Sequence, residues 1–288
     1  MISRRKWLTQ TAMLAALTPL AAWVQRHEAP VKSRFRIGAC DWSIGNSSNI
    51  KAFDVAKAIG LEGIQVNMGS LANGLHLRQP ALQEAYLEAS QRTGITISSL
   101  AIAELNNIPY KSDARTEEWV WDSIDVANKL HAPVVLLAFF GKNDLRQDEQ
   151  GQQEVIRRLK IAAPKAEKNG VILGIESYLN AAEHLRIIDA VGSASVQCYY
   201  DFRNTADAGF DAVKEFKALG REHICELHMK ENGSLLGKGT LNWAAVAEAV
   251  KQSGFDGWMQ IEGALPAKAD ITDSYRRNLR FLRSLFPQ

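Results

Sequence analysis

Four apolar runs in this chain of 288 residues each end in a side chain that binds protons or metals. VILGIE (171–176) stops at Glu176, VQCYYD (196–201) at Asp201, ICELH (224–228) at His228 and WMQIE (258–262) at Glu262. Each run has the length and composition of a buried strand. An ionised carboxylate at the tip of such a strand needs a cation or several donors to offset its desolvation. Three carboxylates brought together without a cation repel one another, so the four side chains are expected to converge on one divalent metal. Three oxygen ligands and one imidazole suit Mn²⁺, Mg²⁺, Co²⁺ or Zn²⁺ without selecting among them. The competing expectation is a set of acids paired with Lys142, Lys230 or one another through water.

The elements that must position these residues follow a regular alternation. Strand patterns fall at 35–40, 61–66, 95–102 and 133–139, and then in the four runs above. Amphipathic stretches with helical spacing separate them, at 49–59, 80–92, 114–130, 151–169, 181–191, 206–219, 242–252 and 270–284. Helices between successive strands force parallel neighbours, and eight such units in roughly 250 residues have the size of a closed (β/α)8 barrel, a TIM barrel of class α/β spanning residues 35–286 as a single domain. An open doubly wound sheet is the alternative, but ACDWSIG stands after the first strand in place of a Gly-rich phosphate turn. Long loops at 67–79, 103–112, 140–150 and 229–241 follow strands, while the helix-to-strand turns are short, which puts the site at the C-terminal ends of the strands. Strand alternation places Tyr199 with Asp201, Glu226 with His228 and Gln260 with Glu262 inside, and Cys198, Cys225, Leu227, Met259 and Ile261 towards the helices.

Residues 1–30 read as a leader. Ser3-Arg4-Arg5-Lys6-Trp7-Leu8 is a twin-arginine sequence before a moderately apolar stretch of ~17 residues, the pattern of a signal for export in the folded state. The chain is therefore expected to engage the twin-arginine translocation machinery and to end in the periplasm or otherwise exported. It stays membrane-anchored if the signal is not cleaved, since the stretch is at the low edge of a spanning length. Residues 25–34 form a polar connector. Residues 1–30 hold four basic residues and one acid, so their removal takes the formal charge from +2 to −1 and leaves no electrostatic reason to bind nucleic acid. The three cysteines have no short spacing and read as free thiols. Among the histidines outside the four strand tips, His184 opens a helix, where a solvated cap is expected, and His76 stands in the loop after the second strand.

Glu176 in GIES, Asp201 in YYDFRN, His228 in ELHMKEN, the following GKGTLNW (237–243) and Glu262 in QIEG together resemble the xylose isomerase-like TIM barrel superfamily, and within it the sugar phosphate isomerase/epimerase group. The resemblance covers the domain from about residue 35 to 286. It implies a metal held by Glu176, Asp201, His228 and Glu262, with the two glutamates on opposite faces of a bound sugar. One abstracts the proton next to a carbonyl to leave a metal-stabilised enediolate, and the other returns a proton. The implied activity is sugar isomerisation or epimerisation. Elimination from a keto-sugar or keto-glycoside by a lyase or dehydratase with the same residues, and a non-catalytic carbohydrate-binding barrel, are the alternatives. Ketose epimerases of the family carry a histidine, an arginine and an acid where this chain has Asn204, Ser234 and Ala182. Candidate substrate contacts are the rings of Trp42 and Tyr178 and the polar groups of Asn67, Glu104, Asn106, Lys142, Asn180, Asn204 and Lys230. An oligomer is compatible with the sequence.

Overall fold

The computed structural model describes residues 35–287; the leader and the connector lie outside them. Eight parallel strands close into a barrel in sequence order: β1 (Arg36–Cys40), β2 (Gly63–Asn67), β3 (Thr96–Ile102), β4 (Val134–Phe139), β5 (Ile172–Ser177), β6 (Val196–Asp201), β7 (Ile224–Lys230) and β8 (Trp258–Glu262). β8 pairs with β1 and completes the ring, so among the described residues no strand edge is left unpaired. The helices are α1 (Ala52–Ile59), α2 (Pro80–Thr93), α3 (Arg115–Lys129), α4 (Glu149–Asn169), α5 (Ala181–Val191), α6 (Phe202–Asp207), α7 (Ala212–Leu219), α8 (Trp243–Ser253) and α9 (Ile271–Leu285). Among the described residues no helix is long and apolar enough to cross a membrane.

The main apolar core lies between strands and helices, where Leu173, Ile175, Leu227, Met259 and Ile261 are buried against helix residues such as Leu159, Ile187 and Val250. The barrel interior is built differently. Towards β3 and β4 it holds a small apolar cluster of Ala101, Val134, Leu136, Ala138 and Tyr199. Elsewhere it is polar, with Gln65, Ser98, Ser99, Glu226, His228 and Gln260 all buried.

Two local expectations are corrected. The single helix expected over 206–219 is two, because Gly209 adopts a φ of 89° and Asp211 caps a new helix by accepting from the amides of Val213 and Lys214. Cys225 does not face the helices. The β6/β7 register runs from Cys198↔Ile224 to Tyr199↔Glu226, which leaves Cys225 as the extra residue of a bulge. It turns inward beside Tyr199 and over Gly174, where a Cβ would lie only 2.8 Å from the Cys225 sulfur. Strict alternation misses such a position because one inserted residue puts two neighbours on the same face. A second irregularity, between β2 and β3, passes over Ser98 in the pairing and brings its hydroxyl to Gln260.

Candidate metal centre and active site

Register sets the geometry of the strand tips. Asp201 on β6 lies opposite His228 on β7, and two residues further along Lys230 lies opposite Glu262 on β8. Glu176 on β5 lies opposite Ala138, whose small side chain leaves room above the apolar cluster. One potential ligand atom from each of Glu176, Asp201, His228 and Glu262 falls within 4.8 Å of all the others.

Each of the four side chains is held by a distinct local device. Asp201 ends its strand where α6 begins and is that helix's N-cap: Oδ1 accepts from the amides of Arg203 (2.7 Å) and Asn204 (2.9 Å). Its Oδ2 is buried with no hydrogen bond and faces His228 Nδ1 at 3.8 Å. Glu176 Oε1 accepts from Asn204 Nδ2 at 3.0 Å and lies 3.0 Å from His228 Nδ1. Glu262 Oε1 accepts from the Trp42 indole N–H at 2.9 Å. Its Oε2 is 2.9 Å from Lys230 Nζ, an ion pair without the alignment of a hydrogen bond. His228 turns Nδ1 towards the three carboxylates and Nε2 towards Gln65 Oε1 at 2.9 Å.

The electrostatics follow from burying four ionisable groups together. Burial pushes the Asp201 carboxyl up and the Lys230 ammonium opposes the shift, the other two acids adding to it. The Glu262 carboxyl is held down despite its burial, because His228 and Lys230 face it. The His228 imidazole, which burial alone would make less basic, is pushed up to about 9 by Glu176 and Glu262. The site thus attracts positive charge, and Lys230 and a proton on His228 supply part of it. An orphaned buried oxygen on Asp201, a Lys ammonium drawn in among the acids and three oxygen donors with one imidazole all fit a hard or borderline dication.

Above the cluster opens a cavity of about 210 Å³. It is lined by polar and aromatic side chains, Trp42, Asn106, Glu176, Tyr178, Asn204, Lys230 and Glu262, and by the apolar Ala101, Ala103, Leu136, Ala138 and Phe140. The remaining candidates for substrate contact do not line it. Asn67 is engaged by Ser47 and the Gly69 amide. Glu104 accepts from the Leu71 amide and Asn107. Lys142 is exposed. Asn180 caps α5 in a reciprocal box with Glu183. His184 is not a solvated cap: it is buried, with Nε2 3.0 Å from Ser177 Oγ and Nδ1 3.0 Å from the Asn180 carbonyl, and burial lowers its pKa to about 4.

The GKGTLNW segment owes its place to Glu231, which is buried and accepts from the Trp243 indole (2.9 Å) and the Leu241 amide (3.3 Å). Among the residues that shape the site, the alanine-rich wall from β3 and β4 and the floor built on Gln65, Tyr199 and Glu226 are absent from the sequence expectations as site elements. Strand parity marks Tyr199 and Glu226 as inward-facing, and that was the available signal.

Residues 53–285 match the family model described as xylose isomerase-like TIM barrel. The chain belongs to this family. It is similar to a 2-epi-5-epi-valiolone 7-phosphate 2-epimerase of Actinoplanes sp., with 24% identity over 197 residues that cover 68% of this chain and 72% of that protein. In fold it is similar to a 3-keto-D-glucoside 4-epimerase from E. coli (TM-score 0.71, 16% identity, 87% of this chain and 100% of that one). It is similar also to a D-psicose 3-epimerase from Clostridium cellulolyticum H10, whose structure holds D-tagatose (TM-score 0.73, 15% identity, 87% and 99%). At these identities the solved structures speak for the fold alone.

Proposed function

We propose that this protein is an exported, metal-dependent sugar isomerase or epimerase that removes and returns a proton next to a carbonyl. The reading rests on one observation: two glutamates, Glu176 and Glu262, sit with Asp201 and His228 in a single cluster of potential ligand atoms at the base of a sugar-sized cavity. Glu176, Asp201, His228 and Glu262 would hold a divalent ion, which would supply a Lewis acid to offset the negative charge that develops as the proton leaves. One glutamate takes the proton and the other delivers one to the opposite face or to the neighbouring carbon. Trp42 holds one Glu262 oxygen and Asn204 holds one Glu176 oxygen, so each carboxylate keeps its second oxygen in a fixed direction.

Lys230 is the one cation among the described lining residues, and it is paired with Glu262, which favours an unphosphorylated substrate. A second reading, elimination from a keto-sugar or keto-glycoside, is favoured by the apolar share of the lining, Ala101, Ala103, Leu136, Ala138 and Phe140, whose side chains offer no donor to hydroxyls. Incubation with keto-sugars and keto-glycosides in D₂O separates the two. Proton return gives an unchanged skeleton carrying deuterium, whereas elimination changes the mass of the substrate. Under either chemistry Glu176→Gln and Glu262→Gln abolish turnover, by at least ~100-fold in kcat, with the fold intact. Turnover near wild type in either variant sinks the proposal. Export is tested by replacing Arg4 and Arg5 with lysines in the full chain; continued export of that variant would remove the twin-arginine reading.

A further inference from the structure

Beneath the ligand cluster the barrel is filled by a directed run of polar side chains for which the proposed reaction has no use. His228 Nε2 meets Gln65 Oε1 at 2.9 Å, and the same oxygen receives the Cys40 thiol at 3.2 Å. Gln65 Nε2 donates to the Tyr199 hydroxyl at 3.0 Å. Deeper in the barrel Gln260 Nε2 donates both to the buried Glu226 and to Ser98. All of these side chains except Cys40 and Tyr199 are polar groups with little or no exposure in the middle of a barrel, where packed aliphatic layers are the usual filling.

The order of donors and acceptors gives the run a direction. A thiol donates to an amide oxygen, and an amide nitrogen only donates, so Cys40 marks the oxygen of Gln65 and the Tyr199 hydroxyl accepts from its nitrogen. The Gln65 amide is thereby fixed with its oxygen towards His228. An acceptor at that place keeps a proton on Nε2, so that Nδ1, the nitrogen among the three carboxylates, is the one left to bind a metal. We infer that Gln65, oriented by Tyr199 and Cys40, is a positioning residue that selects the His228 tautomer and ring orientation needed at the metal centre. The inference rests on the metal-centre reading of Glu176, Asp201, His228 and Glu262.

The test is calorimetric titration of Mn²⁺ into the wild-type protein and three variants, alongside melting of each in its metal-free form. Gln65→Leu keeps the bulk of the side chain and removes the acceptor. It is expected to weaken Mn²⁺ binding about 10- to 100-fold while the metal-free melting midpoint stays near that of wild type. Gln65→Glu retains an acceptor at the same place and is expected to bind within about threefold of wild type, a recovery that a merely structural role does not produce. Tyr199→Phe removes only the hydroxyl that orients the amide and is expected to weaken binding in the same direction, which carries the test should Gln65→Leu fail to fold. Wild-type affinity in Gln65→Leu or, failing its folding, in Tyr199→Phe overturns the inference, as does an equal loss in Gln65→Leu and Gln65→Glu. A wild-type protein that takes up none of Mn²⁺, Mg²⁺, Co²⁺ or Zn²⁺ overturns the metal centre itself, a failure distinct from that of Gln65.

Discussion

Asp201 shows how one side chain serves the fold and the site together. Its Oδ1 caps α6, and its buried Oδ2 makes no hydrogen bond and faces His228 and Lys230. The two roles separate by substitution. Asp201→Asn keeps a carbonyl oxygen for the Arg203 and Asn204 amides but loses the charge, so the metal-free melting midpoint is expected to stay while Mn²⁺ binding falls by at least ~10-fold. Asp201→Ala loses both, with a further cost of about 1 kcal/mol for the cap, or ~2–4 °C in the midpoint. Equal melting and equal affinity in the two variants would show that the oxygen at the cap and the oxygen at the site are not divided as the geometry has them. The acid was legible in the sequence as the end of an apolar run; that its two oxygens have different partners was not, because it depends on α6 beginning at the very next residue.

At the scale of elements, the loops after the strands are tied down by buried carboxylates. Asp41, just past β1, accepts through Oδ2 from the amides of Ser48 and Asn67, while its Oδ1 has no hydrogen bond. Burial pushes its pKa up from 3.8 to about 7 against the pull of those amides. The folded protein therefore retains a proton that the unfolded chain has already released, and stability falls as pH rises between these two values. Asp41→Asn has no such proton. Its melting midpoint relative to wild type is expected to rise from pH 4 to pH 7 and then level off, measured by calorimetry across that range; a difference independent of pH would refute the account. Helix boundaries and strand positions at this scale were readable from periodicity. The exceptions, Cys225 at a bulge and the break between α6 and α7, are places where one residue of register or one glycine decides and periodicity has no say.

For the whole molecule, the closed barrel is what turns four separate strand ends into one site. A dication bound there stabilises the folded state alone, because the unfolded chain scatters its ligands. Saturation at about 100 times the dissociation constant is worth about 2.7 kcal/mol, or ~5–10 °C in the melting midpoint of a chain this size. Stripping with EDTA should remove that increment and Mn²⁺ should restore it. Melting that is the same with and without metal would indicate that the acids are paired within the protein, through Lys230 above all.

By itself the sequence determined the alternation of eight strands and helices, the inward parity of most strand residues and the identity of the acids and histidine at the strand tips. Those features are local, since they follow from side-chain period, strand length and the cost of burying charge. Only the tertiary structure decided which polar residues near the strand ends face the cavity. Asn204 and Lys230 do, while Asn67, Glu104, Lys142 and Asn180 are committed elsewhere or exposed. It also decided that Gln65, far from His228 in the chain, becomes the partner of its second nitrogen. Both depend on the stagger of closed strands and on loop hydrogen bonds, which relate residues by position in space and leave no period in the chain.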